Sequence, residues 1–71
     1  MAHRNSQSAH LLSAGSYDAT ADYYQSLIDH PRNIVDILLK TYYIYQRDLN
    51  RGYANNERAA ANQGGVLAAQ D

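Results

Sequence analysis

Residues 31–62, PRNIVDILLKTYYIYQRDLNRGYANNERAAAN, decide the fold. The stretch has room for about nine helical turns. Val35, Leu38, Tyr42, Tyr45 and Leu49 recur at alternating steps of three and four, the spacing of a helix that has a partner. Lys40, Arg47, Arg51 and Arg58 recur at steps of seven, four and seven. At 100° per residue those four cations fall within roughly 40° of one another, nearly opposite the apolar seam. One face calls for a core and the other for anions.

Downstream of Leu49 the seam continues through Gly52, Asn56 and Ala59, small residues that permit close approach of another backbone. Gly52 costs about 1 kcal/mol of helix propensity relative to Ala. The strong helix formers Ala54, Glu57, Arg58 and Ala59 to Ala61 favour a helix that continues through it. The Gly64-Gly65 pair is the expected stop, leaving residues 64–71 as a short C-terminal tail.

Upstream, a shorter helix is expected over about residues 16–28, with Ser16 as its N-cap and Asp18 in the first turn. Tyr17, Tyr24, Leu27 and Ile28, with Thr20 between them, share one side, while Asp18, Asp22 and Asp29 share the other. The Asp29-His30-Pro31 turn should stop this helix, because proline excludes helical geometry from the residue before it and suits the first position of the next helix. Either Asp29 or His30 would cap that next helix. So short a turn reverses the chain. Residues 1–15 are polar and free of acids, and read as a flexible arm ending at Gly15. The fold class is all-α: a helical hairpin at residues 16–63 between an arm and a tail.

A chain of 71 residues buries only about 60% of the surface that its unfolded form exposes. It has no Cys, so disulfides cannot staple it, and association is the remedy left for a thin core. The net charge of −1 speaks against a general nucleic-acid or membrane-surface binder. The longest apolar run, Tyr42 to Tyr45, is far short of the 18 or more residues of a membrane span. Leu11 and Leu12 stand among polar residues, which is no secretory signal core. No membrane insertion and no cleaved leader are expected.

Catalytic and metal chemistry find no support in the residue pattern. His3, His10 and His30 share no ligand spacing, and a zinc site needs three or four convergent donors. Ser13, Ser16 and Ser26 lack a glycine elbow, and no phosphate-cradling glycine loop occurs. We expect no enzyme, no cofactor and no metal.

Seven Tyr stand without any Phe or Trp, a composition suited to surfaces buried against another polypeptide. Tyr42 and Tyr45 belong to the seam, Tyr53 lies at its far end, and Tyr43 points away from it, with Ile37 and Ile44 also left over. A single hairpin cannot cover all of these, so some should meet a second molecule. If the hairpin closes on its apolar faces, acidic Asp18, Asp22 and Asp29 and basic Lys40, Arg47, Arg51 and Arg58 point outward on opposite flanks. Two complementary flanks on one molecule suit head-to-tail association. Tyr rings beside an Arg row also raise nucleic acid as a partner, but four cations interrupted by Asp36, which should pair with Lys40, rank it below protein.

An arm, a hairpin with proline at the turn and a long second helix are similar in layout to the needle and inner-rod subunits of type III secretion systems. Small helical accessory proteins of bacteriophage particles resemble it too, although Gly64-Gly65 and the polar end differ from the apolar end of needle subunits. The sequence therefore points to a non-enzymatic assembly subunit that packs on copies of itself or a larger scaffold, in a filament, ring or particle. Such an assembly would place the chain in an exported structure or a virion. The alternative is a small regulatory or inhibitory module that seats its long helix in one partner.

Overall fold

The computed structural model describes the backbone of residues 2–70 and the side chains of residues 6–63. The described backbone is all-α. Helix α1 spans Ala2–Asp29, α2 spans Ile34–Leu38 and α3 spans Lys40–Gln70. The two long helices lie side by side in opposite directions: Tyr24 meets Tyr43 near one end, with ring centroids 5.8 Å apart. Tyr17 meets Tyr53 further along at 5.2 Å, and His10 reaches Glu57 beyond that. The molecule measures 54 × 14 × 13 Å, an arrangement consistent with the expected hairpin.

Alanines make up most of the buried hydrophobic residues along the packed seam. His10, Ala14, Tyr17, Ala21, Tyr24 and Ile28 repeat at steps of four and three on α1, and Tyr43, Arg47, Asn50, Ala54, Glu57 and Ala61 do the same on α3. Ala14, Ala21, Ala54 and Ala61 are all buried, Ala54 completely at 0% exposure. Small side chains allow the helix axes to approach to the lower end of the usual 8–10 Å range, and tyrosines fill the layers between them. Leu27, also buried, closes the core near the chain reversal. The buried Asn50 is satisfied within its own helix, its Nδ2 donating to the Gln46 carbonyl at 2.8 Å.

Three boundaries differ from those read in the sequence. First, α1 begins at Ala2 instead of Ser16, so residues 2–15 are helical where a flexible arm was expected. Gly15 lies within the helix, and a Cβ there would meet nothing within 4 Å. Burial of Ala14 and the His10–Glu57 hydrogen bond at 2.6 Å hold the added turns against α3, because tertiary contacts outweigh a local propensity of about 1 kcal/mol. Second, α3 runs to Gln70 through Gly64-Gly65. No described glycine adopts positive φ, so the left-handed turn that usually stops a helix at glycine does not form. The tail expected at residues 64–71 is thus helical as far as Gln70. Its side chains and Asp71 lie outside the described residues.

Third, the long helix expected from Pro31 starts later and is interrupted. Asn33, in extended conformation, caps α2 with its side chain accepting from the Asp36 N–H at 3.2 Å, in place of Asp29 or His30. Leu39 leaves helical geometry at φ −92°, ψ 10°, which separates α2 from α3. The expected turn at Asp29-His30-Pro31 does end α1.

Candidate interaction surface

Helix α2 has its polarity reversed. Of Ile34, Val35, Asp36, Ile37 and Leu38, the only buried residue is Asp36, at 2% exposure, while Leu38 is 75% exposed. The cause is a set of donors converging on one carboxylate. Arg32 donates its backbone N–H to Asp36 Oδ2 at 2.8 Å and closes a fork, Nε to Oδ2 at 2.9 Å and Nη2 to Oδ1 at 3.2 Å. The Tyr43 hydroxyl donates to Oδ1 at 2.8 Å. A carboxylate that accepts this many bonds, two from a planar guanidinium, is stable in a buried place.

The protonation preferences follow from the same contacts. The Arg32 side chain first, its backbone N–H next and the Tyr43 hydroxyl third hold Asp36 well below the usual carboxylate range. The bond to Asp36, followed by burial, pushes the Tyr43 phenol up, and Asp36 raises the Arg32 guanidinium. The expected Asp36–Lys40 pair is replaced by Arg32–Asp36. Lys40 is exposed. The sequence held a signal for this cluster in Asn33 three residues before Asp36, an N-cap spacing, with Arg32 one residue earlier.

With Asp36 pointing inward, the aliphatic residues of α2 point outward, and their surface continues along α3. Val35, Leu38, Tyr42 and Tyr45, expected in the core, are exposed, Tyr45 at 61%. Leu49 is half-buried, and Gly52, Tyr53, Asn56 and Ala59 are exposed. Tyr43, expected to point away from the core, is only 6% exposed. The seam and the cation row do lie on opposite sides of the helix, as their spacing requires, but the side facing α1 is the one beside the cations. At 100° per residue the seam sits roughly 150° from the packed line.

The charge rows are accordingly turned toward each other within the chain, where they had been expected to point outward on opposite flanks. Arg58 Nη1 meets Asp18 Oδ2 at 2.7 Å. Gln25 Oε1 accepts from Arg47 Nη1 at 2.9 Å and from Arg51 Nη2 at 3.4 Å, while its Nε2 donates to Asp29 Oδ1 at 3.0 Å. Arg47 also pairs with Asp48. Asp22 is exposed. Pairs this open contribute about 0–1 kcal/mol each, so they align the helices more than they hold them.

The surface left over is large and apolar. The exposed large hydrophobic residues include Ile34, Val35, Ile37 and Leu38 on α2 and Tyr42 and Tyr45 on α3. Among the described residues no helix is long and apolar enough to cross a membrane, and no group of three or more His, Cys, Asp or Glu is placed to hold a metal ion. Comparison with protein-family models, with curated proteins and with solved structures finds no match for this chain.

Proposed function

We propose that the protein is a non-enzymatic assembly subunit, a small helical hairpin that packs through the outer faces of α2 and α3 against copies of itself or a larger protein scaffold. The observation that carries this reading is the reversed polarity of α2. A buried, fully bonded Asp36 turns four aliphatic side chains to the outside of a chain whose own core is mostly alanine. Exposed apolar surface of this extent is the usual mark of an interface. The internal pairing of the charge rows removes them as the driving force and leaves apolar burial in that role.

A second reading keeps one observation of its own. The aliphatic residues are densest on α2, at one end of a 54 Å rod, which suits a regulatory or inhibitory module seated in a groove of one partner. Stoichiometry separates the two. Sedimentation equilibrium and thermal melts over a wide dilution range should show stability rising with association, while the helical hairpin itself persists on dilution. A monodisperse, stable monomer at every concentration would overturn the assembly reading.

A further inference from the structure

Helix α3 carries two heptad registers, of which α1 fills only one. The open register, Tyr42, Tyr45, Leu49, Gly52, Asn56 and Ala59, repeats at steps of three and four along unbroken helix, for roughly 26 Å. That spacing fits another helix and not a loop or a strand. Its side chains also change in size along the way. The first three are large and the last three small.

A helix docked on this seam must be small where α3 is large, and large where α3 is small. Run in the opposite direction, α3 itself meets that requirement. In antiparallel pairing, alternating layers place Leu49 of one copy against Gly52 of the other, Tyr45 against Asn56, and Tyr42 against Ala59, and the two-fold axis repeats each contact. Parallel pairing would set tyrosine on tyrosine at one end and alanine on alanine at the other, which no single interaxial distance accommodates. Charge does not oppose the antiparallel arrangement. The seam holds no charged residue between Tyr42 and Ala59, and the flanking Asp48 falls beside Asn55 of the second copy.

Gly52 supplies an independent reason. A Cβ there would meet nothing within 4 Å, so nothing inside the chain requires a residue that weakens a helix interior. A second backbone bringing Leu49 onto that position does require it. We propose that two copies form an antiparallel dimer through the outer face of α3, with the two-fold axis between Leu49 and Gly52. This names the partner for the association proposed above and rests on that reading.

Gly52→Leu is the decisive variant, because the leucine has open space within the chain and a better helix propensity. Circular dichroism should stay native while the dimer, measured by sedimentation equilibrium, weakens by about tenfold or more. The chain has no Cys, so Tyr45→Cys and Asn56→Cys variants, one carrying a size tag, report the register. Mixed and mildly oxidised, they should give the mixed disulfide in excess of either self-linked product. Self-linked Tyr45→Cys without the mixed species would overturn the antiparallel register. Dimers unweakened by Gly52→Leu but dissolved by Leu38→Lys would place the contact on α2, overturning this inference while association itself stands. A native chain that is monomeric throughout would overturn both.

Discussion

The Tyr43 hydroxyl donates a 2.8 Å hydrogen bond to the carboxylate of Asp36, seven residues earlier in the chain and on the far side of the helix break at Leu39. Leu39 is not a helix breaker by residue type, and the break falls between two residues joined by a tertiary bond. The same bond brings Tyr43 into the core beside Tyr24 and turns the aliphatic face of α2 outward. Core, connection and surface thus depend on one contact.

Removing that contact should loosen the connection first. Tyr43→Phe keeps the ring and deletes the donor, and should lower the Tm by about 4–8 °C, the shift that a small domain shows for loss of one ordinary interaction. Asp36→Ala, which also strips Arg32 of its partner, should lower it further. Thermal melts at low concentration check both, and equal Tm values for the two variants would mean that Arg32 contributes nothing through Asp36.

The pH dependence has a sign at each end. Asp36 is held below its ordinary value, so its contribution is complete above about pH 4 and is lost as the pH falls through the lower folded value. Tyr43 is pushed up, so its contribution is complete below about pH 10 and is lost as the pH rises beyond that. Urea unfolding across pH should show a plateau between these limits. Asp36→Asn should flatten the acid limb, and an unchanged limb would assign acid lability to other groups.

Leu27 and Tyr45 should divide fold from association. Leu27 is buried, so Leu27→Ala should cost the monomer about 2–5 kcal/mol. Tyr45 is exposed, and Tyr45→Ala should change monomer stability by no more than about 0.5 kcal/mol while weakening association. Urea titrations at high dilution measure the first effect, sedimentation the second.

Two substitutions in neighbouring turns of α3 should act in opposite directions on the monomer. Ala54 is completely buried against α1, and Ala54→Leu should destabilise by about 1–3 kcal/mol through overpacking. Gly52→Ala meets open space and should stabilise by about 1 kcal/mol. Denaturant midpoints at high dilution give both signs.

The Asp18–Arg58 pair is contained in one chain. Asp18→Arg and Arg58→Asp should each lower stability by about 1 kcal/mol or less, and the double variant should recover most of that loss within one molecule. Rescue that occurs only on mixing the two single variants would show that the pair forms between chains.

Residue spacing and turn chemistry alone determined the helical class, the end of the first long helix at Asp29, the bulky heptad seam of the second and the absence of any charged residue on the Tyr42–Ala59 seam. These are local properties, because period and turn chemistry act within a few residues. Which periodic face becomes the core is not local. Large side chains at Tyr42, Tyr45 and Leu49 mark a seam more loudly than Ala54 and Ala61 do, yet the alanines let two helices come close enough for tyrosines on both to interleave. Only the tertiary structure decided that choice, together with the extension of α1 back to Ala2 and the burial of Asp36. The first two depend on contacts between residues distant in sequence, such as Tyr24 with Tyr43 and His10 with Glu57, and the third on Arg32 and Tyr43 converging on Asp36 across the break at Leu39. Those contacts outweigh propensities of about 1 kcal/mol per residue. The bulky seam that the spacing marks as belonging to a helix with a partner is left facing outward, because in this chain the inner face is already occupied.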